Sequence, residues 1–308
     1  MRKAIQWGMD RILSVRAMGR ARRWVTRDSD RPLVFYGWDH IPGPGEPIHG
    51  GLVKFQKLQG LYPNSPRHYN LVYLLSSSMP GYAPAMAAAA RAQGAKVVWN
   101  QNGVAFPAWH GAGWERTNAP MRRLLHLADH VFYQSDFCRR SADRYLGERQ
   151  GAAEILYNPV DTGVFRPAAA DPAPGRLTLL AAGSHEQRYR VETALETLAR
   201  LRRWRPDARL ILAGRFNWRS SPGAARQDIL AIGRRLGLLE AIDLRGPYTQ
   251  DEAPALMREA HVLIHTKCND PCPALVLEAL ASGLPVVYSD SGGTPELVGP
   301  DAGIGVRS

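Results

Sequence analysis

The chain has 308 residues, which is enough for two domains of ordinary size. Hydrophobic residues make up 45% and charged residues 22%, a normal globular composition that excludes a largely disordered chain. No apolar run reaches the roughly 18 residues that a membrane span needs, and three cysteines (Cys138, Cys268 and Cys272) are too few for a disulfide framework, which favours a reducing cytoplasm.

The net charge of +11 is concentrated at the N-terminus. Residues 1–31 contain nine Lys or Arg residues and three Asp residues, so +6 of the total lies there. Helical spacing is present in the apolar residues of this basic leader, Ile5, Met9, Ile12 and Leu13. A basic amphipathic helix suits an anionic membrane surface, and a frayed leader without a partner is the alternative. Nucleic-acid binding is disfavoured, because the excess charge is local and no nucleic-acid motif is present.

From residue 32 onward, short apolar runs alternate with stretches of helical periodicity. Up to residue 166 the predicted strands are Leu33–Tyr36, Leu71–Leu75, Lys96–Trp99, His130–Tyr133 and Glu154–Leu156. The predicted helices include Ala83–Gln93, Ala119–Leu127 and Ser135–Tyr145. Strands that alternate with helices predict a parallel sheet, and continuous apolar runs predict a sheet that is covered on both faces.

Residues 167–176 are rich in proline and glycine and predict a linker between two domains. The strands predicted after it are Leu177–Ala182, Arg209–Ala213, Ile242–Leu244, Val262–His265 and Pro285–Tyr288. The predicted helices are Val191–Trp204, Ala224–Leu236, Asp251–Glu259 and Pro273–Ser282. We therefore predict an α/β chain with two tandem Rossmann-like domains, residues 32–166 and 177–308, that face a cleft. Ligands of such sheets bind outside the carboxyl ends of the strands.

The most informative motif is the run Asn269–Val287. It places Asp270 just after a strand and Glu278 eight residues later, on the same side of the following helix. The amides of Ala274 and Leu275 at the start of that helix are free to bind a phosphate. An acid beside a phosphate site suits the hydroxyl groups of a sugar.

This run resembles the E-x-x-x-x-x-x-x-E segment of retaining nucleotide-sugar glycosyltransferases of group 1, which have the GT-B fold. Over roughly residues 32–300, other segments are similar to the family's: Ala128–Val131, Asn158–Asp161, Gly283–Val287 and Ser291–Glu296. The resemblance implies transfer of a sugar from a nucleotide-diphosphate sugar to a glycan or glycolipid acceptor, with retention of configuration and no metal cofactor. It also implies a role in cell-surface polysaccharide or glycolipid assembly, cytoplasmic or on the inner membrane face, and a C-terminal domain that is shortened.

The resemblance also implies roles for single positions. Asp270, one methylene shorter than the family's glutamate, corresponds to the acid that contacts the donor sugar, and Glu278 to the acid that holds the ribose. In the loop after the first strand of the second domain, Gly183 stands near the donor. Arg188 and Arg190 stand where the family has cations that neutralise the diphosphate, and the sequence does not decide between them.

Four further positions in the first domain are candidates. Gly50 and Gly51 would let the backbone approach the donor phosphates, with a plain loop as the alternative. Asn102 is predicted to contact a sugar, with a simple turn as the alternative, and Trp109 either stacks on an acceptor sugar or belongs to the core. In the second domain, His265 lies at the end of a predicted strand, and its side chain is predicted to be packed in the interior.

Two other functions stay open at this point. One is a nucleotide-sugar-binding protein that does not catalyse transfer. The other is a different GT-B enzyme that acts on sugar phosphates, such as a phosphorylase or a sugar-nucleotide epimerase.

Overall fold

A computed structural model describes residues 14–43, 46, 51–170 and 175–307. Its contacts divide the chain into two units, Met1–Tyr157 and Asn158–Ser308. Each unit has a parallel sheet packed against helices, which confirms the predicted α/β class. Within the described residues, no helix combines the length and the apolar character that crossing a bilayer requires.

The first unit is built on a five-stranded parallel sheet. Its strands are β1 (Val34–Phe35), β2 (Leu71–Leu75), β3 (Lys96–Gln101), β4 (His130–Tyr133) and β5 (Ala153–Ile155). Its helices are α1 (residues 14–24), α2 (Leu52–Leu58), α3 (Ala83–Ala92), α4 (Pro107–His110), α5 (Trp114–Leu127) and α6 (Asp136–Leu146). The strand order is β1-β2-β3-β4-β5. Because side chains alternate between the faces of a sheet, Val72 and Leu74 join the larger core with α1, α3, α5 and α6, while Leu75 joins Phe55 of α2 on the other face.

The second unit has a six-stranded parallel sheet with a core on each face. Its sheet strands are β6 (Thr178–Ala181), β8 (Arg209–Leu212), β10 (Ile242–Leu244), β11 (Val262–His265), β12 (Val286–Ser289) and β13 (Gly303–Val306). A separate parallel pair consists of β7 (Ser184–His185) and β9 (Arg215–Phe216). Its α-helices are α7 (Arg188–Leu201), α8 (Pro222–Arg235), α9 (Ala253–Arg258), α10 (Ala274–Ala281) and α11 (Thr294–Val298). The strand order is β10-β8-β6-β11-β12-β13.

The predicted strands and helices are all present, and the largest difference in an end is at α5. This helix begins at Trp114, whereas the sequence predicted a start at Ala119, next to Pro120. Asn118 explains the additional turn, because its side chain accepts from the amide of Ala105 at 2.9 Å and donates to the carbonyl of the same residue at 2.8 Å. These bonds anchor the early part of the helix to the preceding loop and offset the backbone bond that a proline inside a helix removes.

The boundary between the units lies before Asn158 rather than at the predicted linker. Phe165 is buried in the core of the second unit, and the side-chain amide of Asn158 donates to the carbonyl of Cys272 at 2.8 Å. Pro167 lies so close to Gly283 that a Cβ there would be 3.2 Å away. Residues 158–166 therefore belong to the second unit, because burial of Phe165 outweighs the proline-rich signal that follows. Residues 171–174 lie outside the described residues.

The apolar residues predicted to form the face of the basic leader, Ile5, Met9, Ile12 and Leu13, lie outside the described residues. The described part of the leader is the helix α1. It packs Ala17 and Ala21 into the larger core of the first unit and carries its arginines on the other sides.

Candidate active site

The strand order of the second unit marks a candidate position for a ligand. From β6 the chain proceeds through β8 to β10 on one side, and from β11 through β12 to β13 on the other. The direction therefore reverses between β6 and β11, and such a reversal opens a crevice at the carboxyl ends of the two strands. The loops at this point carry Gly183, after β6, and Lys267 and Asp270, after β11.

Asp270 is a buried carboxylate, with a side chain only 12% exposed. Its Oδ2 lies 3.0 Å from the ammonium of Lys267 and 3.5 Å from Nε2 of His265. Burial by itself raises the pKa of Asp270, but the neighbouring His265 and Lys267 outweigh this effect and hold the pKa at about 2. Asp270 is therefore a fixed negative charge over the whole physiological pH range.

His265 is buried, as predicted, and lies against Asp270 at the end of β11. Neither of its ring nitrogens has a hydrogen-bond partner among the described residues, since 3.5 Å is a long contact. Burial lowers the pKa of His265, although Asp270 acts against this. A buried imidazole therefore borders the carboxylate, with no close hydrogen-bond partner for its nitrogens among the described residues.

The structure distinguishes the two candidate arginines. Arg190 is 6% exposed, donates to the carbonyl of Ser184, and keeps its Nε without a partner among the described residues. Burial lowers its pKa, and the attraction of Asp270 acts in the opposite direction. Arg188 has a side chain 44% exposed, and its Nε lies 3.6 Å from Glu192 on the surface of α7. Arg190 is therefore a buried cation that interacts electrostatically with Asp270, whereas Arg188 belongs to a surface ion pair.

Helix α10 carries the other predicted donor-binding residues. Ala274 and Leu275 form its first turn, where backbone amides have no acceptor within the helix. Leu275 lies close to Gly183, because a Cβ on that glycine would be 3.8 Å from its Cδ2. About one turn later, Glu278 accepts a hydrogen bond from the side-chain amide of Gln250 at 2.8 Å. The amides and Glu278 thus lie on the helix that follows Asp270.

The loop that carries Asp270 is fixed by a close backbone contact. Gly292 has a φ of +75°, and a Cβ there would be 2.5 Å from the carbonyl oxygen of Asp270. The neighbouring amide of Gly293 donates to the same carbonyl at 2.9 Å. Only glycine combines this left-handed conformation with this close approach. The Gly292-Gly293 pair therefore fixes the backbone of the loop at Asp270.

Replacing Gly292 with alanine is expected to lower the free energy of unfolding by about 3 kcal/mol, from left-handed strain and the clash with Asp270. Gly237→Ala is the matched control, since Gly237 has a φ of +68° and nothing within 4 Å of a Cβ. Denaturant unfolding of both variants separates the two contributions, and equal losses would show that the contact with Asp270 is unimportant.

In the first unit, Gly51 and Asn102 both lie against the loop after β2. A Cβ on Gly51 would collide with the hydroxyl of Ser77, and the side-chain amide of Asn102 donates to that hydroxyl at 2.7 Å. The amide Oδ1 of Asn102 is buried and has no partner among the described residues. Gly50 lies outside the described residues. Asn102 therefore offers an unused acceptor to a hydroxyl group.

Trp109 is not a core residue, because it is 61% exposed on α4. Its ring centroid lies 6.3 Å from that of Phe106, whose ring stacks on Tyr145 at 6.0 Å. The tryptophan is thus the outermost ring of an aromatic group and has a free face for an external partner.

The sequence analysis missed two groups that contact this part of the second unit, Tyr189 and Gln250. The hydroxyl of Tyr189 accepts from the amide of Cys268 at 3.2 Å and joins α7 to the loop after β11. Gln250 contacts Glu278, and Lys267 contacts Asp270. Lys267 and Arg215 are weaker candidates from the sequence, because each follows a strand.

Comparison with known proteins identifies the family. Residues 176–308 match the family model described as Glycosyl transferases group 1. The second unit is a group 1 glycosyl transferase domain. A glycogen synthase of Mycobacterium tuberculosis is 31% identical over 150 residues, which are 48% of this chain and 34% of the relative. The match to the group 1 domain begins close to the start of β6 and includes the loops with Arg190 and Asp270.

Two further similarities extend beyond the group 1 domain. A GDP-mannose-dependent alpha-(1-6)-phosphatidylinositol monomannoside mannosyltransferase of Mycobacterium tuberculosis is 26% identical over 214 residues, 61% of this chain and 52% of the relative. The structure of HepE of Anabaena in complex with UDP is similar with a TM-score of 0.63 at 19% identity, over 83% of this chain and 68% of that one. The tandem Rossmann-like units thus have the GT-B fold. The chain spans about a third to a half of the length of these two curated relatives.

Proposed function

We propose that the protein transfers a sugar from a nucleotide-diphosphate sugar to a glycan or glycolipid acceptor with retention of configuration. The observation that carries this proposal is the ionised Asp270 at the reversal of the strand order, held by Lys267 and attracted electrostatically by the buried Arg190, with the first turn of α10 following in the chain. A sugar linked to a diphosphate presents hydroxyl groups and negative charge to one site, and this site offers a carboxylate and cations.

In this proposal each group contacts one part of the donor. Glu278 accepts hydrogen bonds from the ribose hydroxyls. These bonds replace or join the hydrogen bond that Gln250 donates to the same carboxylate. Arg190 and the amides of Ala274 and Leu275 bind the diphosphate, because a helix N-terminus and a guanidinium both favour anions. Asp270 accepts from a hydroxyl of the sugar.

The transfer breaks the bond between the anomeric carbon and the diphosphate oxygen and forms a bond from that carbon to the acceptor oxygen. The leaving diphosphate gains negative charge, which Arg190 and the amides of α10 stabilise without a divalent metal. The proton of the acceptor hydroxyl passes to the diphosphate on the same face of the sugar, so the configuration is retained. We therefore expect EDTA to leave the rate of sugar transfer unchanged.

We assign the acceptor to the first unit. The unused Oδ1 of Asn102 suits a sugar hydroxyl, and the exposed ring of Trp109 suits stacking on a sugar. The similarity to a mannosyltransferase with a phosphatidylinositol-based acceptor favours a glycolipid. Together with the basic leader, it supports a protein that works on the cytoplasmic side of a membrane, at its anionic surface.

Glu278→Ala is expected to reduce transfer by about 100-fold or more, because a charged acceptor of two ribose hydrogen bonds is lost. The donor is first identified by thermal shift of the purified full chain with UDP-, GDP- and ADP-sugars. Transfer from the labelled donor is then measured, with the anomeric configuration of the product determined by NMR. Glu240→Ala, an exposed acid of the same unit, is the control.

Each alternative function has its own outcome in this experiment. Donor binding without turnover would indicate a binding protein that does not catalyse transfer. A nucleotide sugar with altered configuration would indicate an epimerase, and a free sugar phosphate would indicate a phosphorylase. Full activity of Glu278→Ala would contradict the assigned ribose contact.

A further inference from the structure

Helix α1 carries a stripe of arginines on one face. Arg16, Arg20 and Arg23 follow one another at spacings of four and three residues, which places them on the same side of the helix. Like charges at these spacings destabilise a helix. Among the described residues the stripe has one acidic partner, Asp39, which binds Arg20 at 2.9 Å. The guanidinium of Arg20 also lies 4.6 Å from the ring centroid of Trp24.

The stripe borders an open cavity on the surface of the first unit. This cavity has a volume of about 540 Å³. It is lined by the stripe arginines and by Ala17, Gly19, Trp24 and Tyr82. Arg16 and Arg23 form no ion pair with any described residue, so two positive charges at this cavity are not compensated. Gly19 contributes no side chain, and nothing lies within 4 Å of the Cβ that it lacks.

We propose that this cavity binds the phosphate group of an anionic phospholipid headgroup and so holds the first unit at a membrane. The proposal rests on the membrane association proposed above and names the site responsible for it. Arg16 and Arg23 bind the phosphate oxygens, and Arg20, already fixed by Asp39, adds a third positive charge. The volume accommodates a phosphodiester with part of its alcohol.

The surroundings of the cavity favour a lipid over a soluble phosphate. Val15 is 64% exposed beside Arg16, and the half-buried Trp24 lines the cavity. Apolar and aromatic side chains next to cations are typical of helices that lie in a membrane interface. The leader residues 1–31 carry +6 of the net charge, which attracts the protein to an anionic surface before the headgroup enters the cavity.

The decisive experiment measures binding of the full chain to vesicles of phosphatidylcholine alone and of phosphatidylcholine mixed with phosphatidylglycerol, by co-sedimentation. The cavity variant is Arg16→Ser/Arg23→Ser. The matched control is Arg22→Ser/Arg31→Ser, which removes the same charge from exposed leader residues outside the cavity. We expect the wild type to bind only the anionic vesicles, and the cavity variant to bind them at least about 10-fold more weakly than the control variant does.

Circular dichroism and sugar transfer to a soluble acceptor are measured alongside, because the cavity variant should keep both. Equal binding by the two double variants would show that the leader acts as diffuse charge, and would overturn the proposed site. Displacement of the protein by inorganic phosphate at low concentration would show a soluble-anion site and overturn the choice of a lipid. A wild type that transfers sugar but binds no vesicle would remove the membrane proposal and leave the proposed activity intact.

Discussion

Asp270→Asn is expected to lower kcat/KM for sugar transfer by about 100- to 1000-fold. The substitution keeps the size of a buried side chain but removes the negative charge that Lys267 and His265 orient at the end of β11. An amide cannot accept hydrogen bonds from a sugar hydroxyl with the strength of a carboxylate. Steady-state kinetics with the donor from the thermal-shift screen measure the effect.

The control for this prediction is Asp207→Asn. Asp207 forms a surface ion pair with Arg205 at 3.1 Å and lies before β8, at the opposite end of the strand from the candidate site. We expect this variant to keep wild-type kinetics. Comparable losses in the two variants would mean that Asp270 acts through stability alone, and full activity of Asp270→Asn would remove it from the site.

The depressed pKa of Asp270 adds a stability signature. A carboxyl group with a folded pKa of about 2 stabilises the protein at any pH above its unfolded pKa near 3.8. This contribution, about 2 kcal/mol, is lost as the pH falls from about 4 to about 2. The stability difference between wild type and Asp270→Asn should therefore shrink over that interval. Above about pH 4 it should change little, because Asp270 stays ionised there.

Much of the fold could be predicted because its signals are local. A parallel sheet covered on both faces requires short continuous apolar runs, and runs such as Leu71–Leu75 and Val262–His265 coincide with β2 and β11. The start of α5 could not be predicted, because it depends on bonds between Asn118 and the distant Ala105. The boundary between the units was predicted at residues 167–176 for a similar reason. The burial of Phe165 in the second unit is a tertiary contact, and the proline-rich sequence after it gives no sign of that contact.

The candidate site shows the same division between local and tertiary information. The spacing of Asp270 and Glu278 is visible in the sequence, and the helix α10 between them follows from the residues. The role of His265 is not visible, because a histidine at a strand end looks the same whether it borders apolar side chains or a carboxylate. Arg188 and Arg190 are two residues apart at the start of α7, and only the direction of each side chain separates them.

Arg190→Met is expected to reduce kcat/KM by about 100-fold or more, whereas Arg188→Met should change it by less than about threefold. Arg190 is a buried cation that interacts electrostatically with Asp270, placed to stabilise the charge that develops on the leaving diphosphate. Arg188 loses only an exposed contact of 3.6 Å with Glu192, and exposed ion pairs contribute little. Methionine fills most of the space of the arginine stem, so the core around α7 is kept.

Arg190→Lys separates charge from shape in this prediction. A lysine keeps the positive charge but lacks the planar group that donates to the carbonyl of Ser184, so it should restore part of the lost activity. Thermal unfolding of all three variants shows whether a loss reflects folding. If Arg188→Met were the inactive variant instead, the diphosphate would lie at the exposed start of α7 and not beside Asp270. The donor sites assigned to Arg190 and to the first turn of α10 would then have to be placed elsewhere.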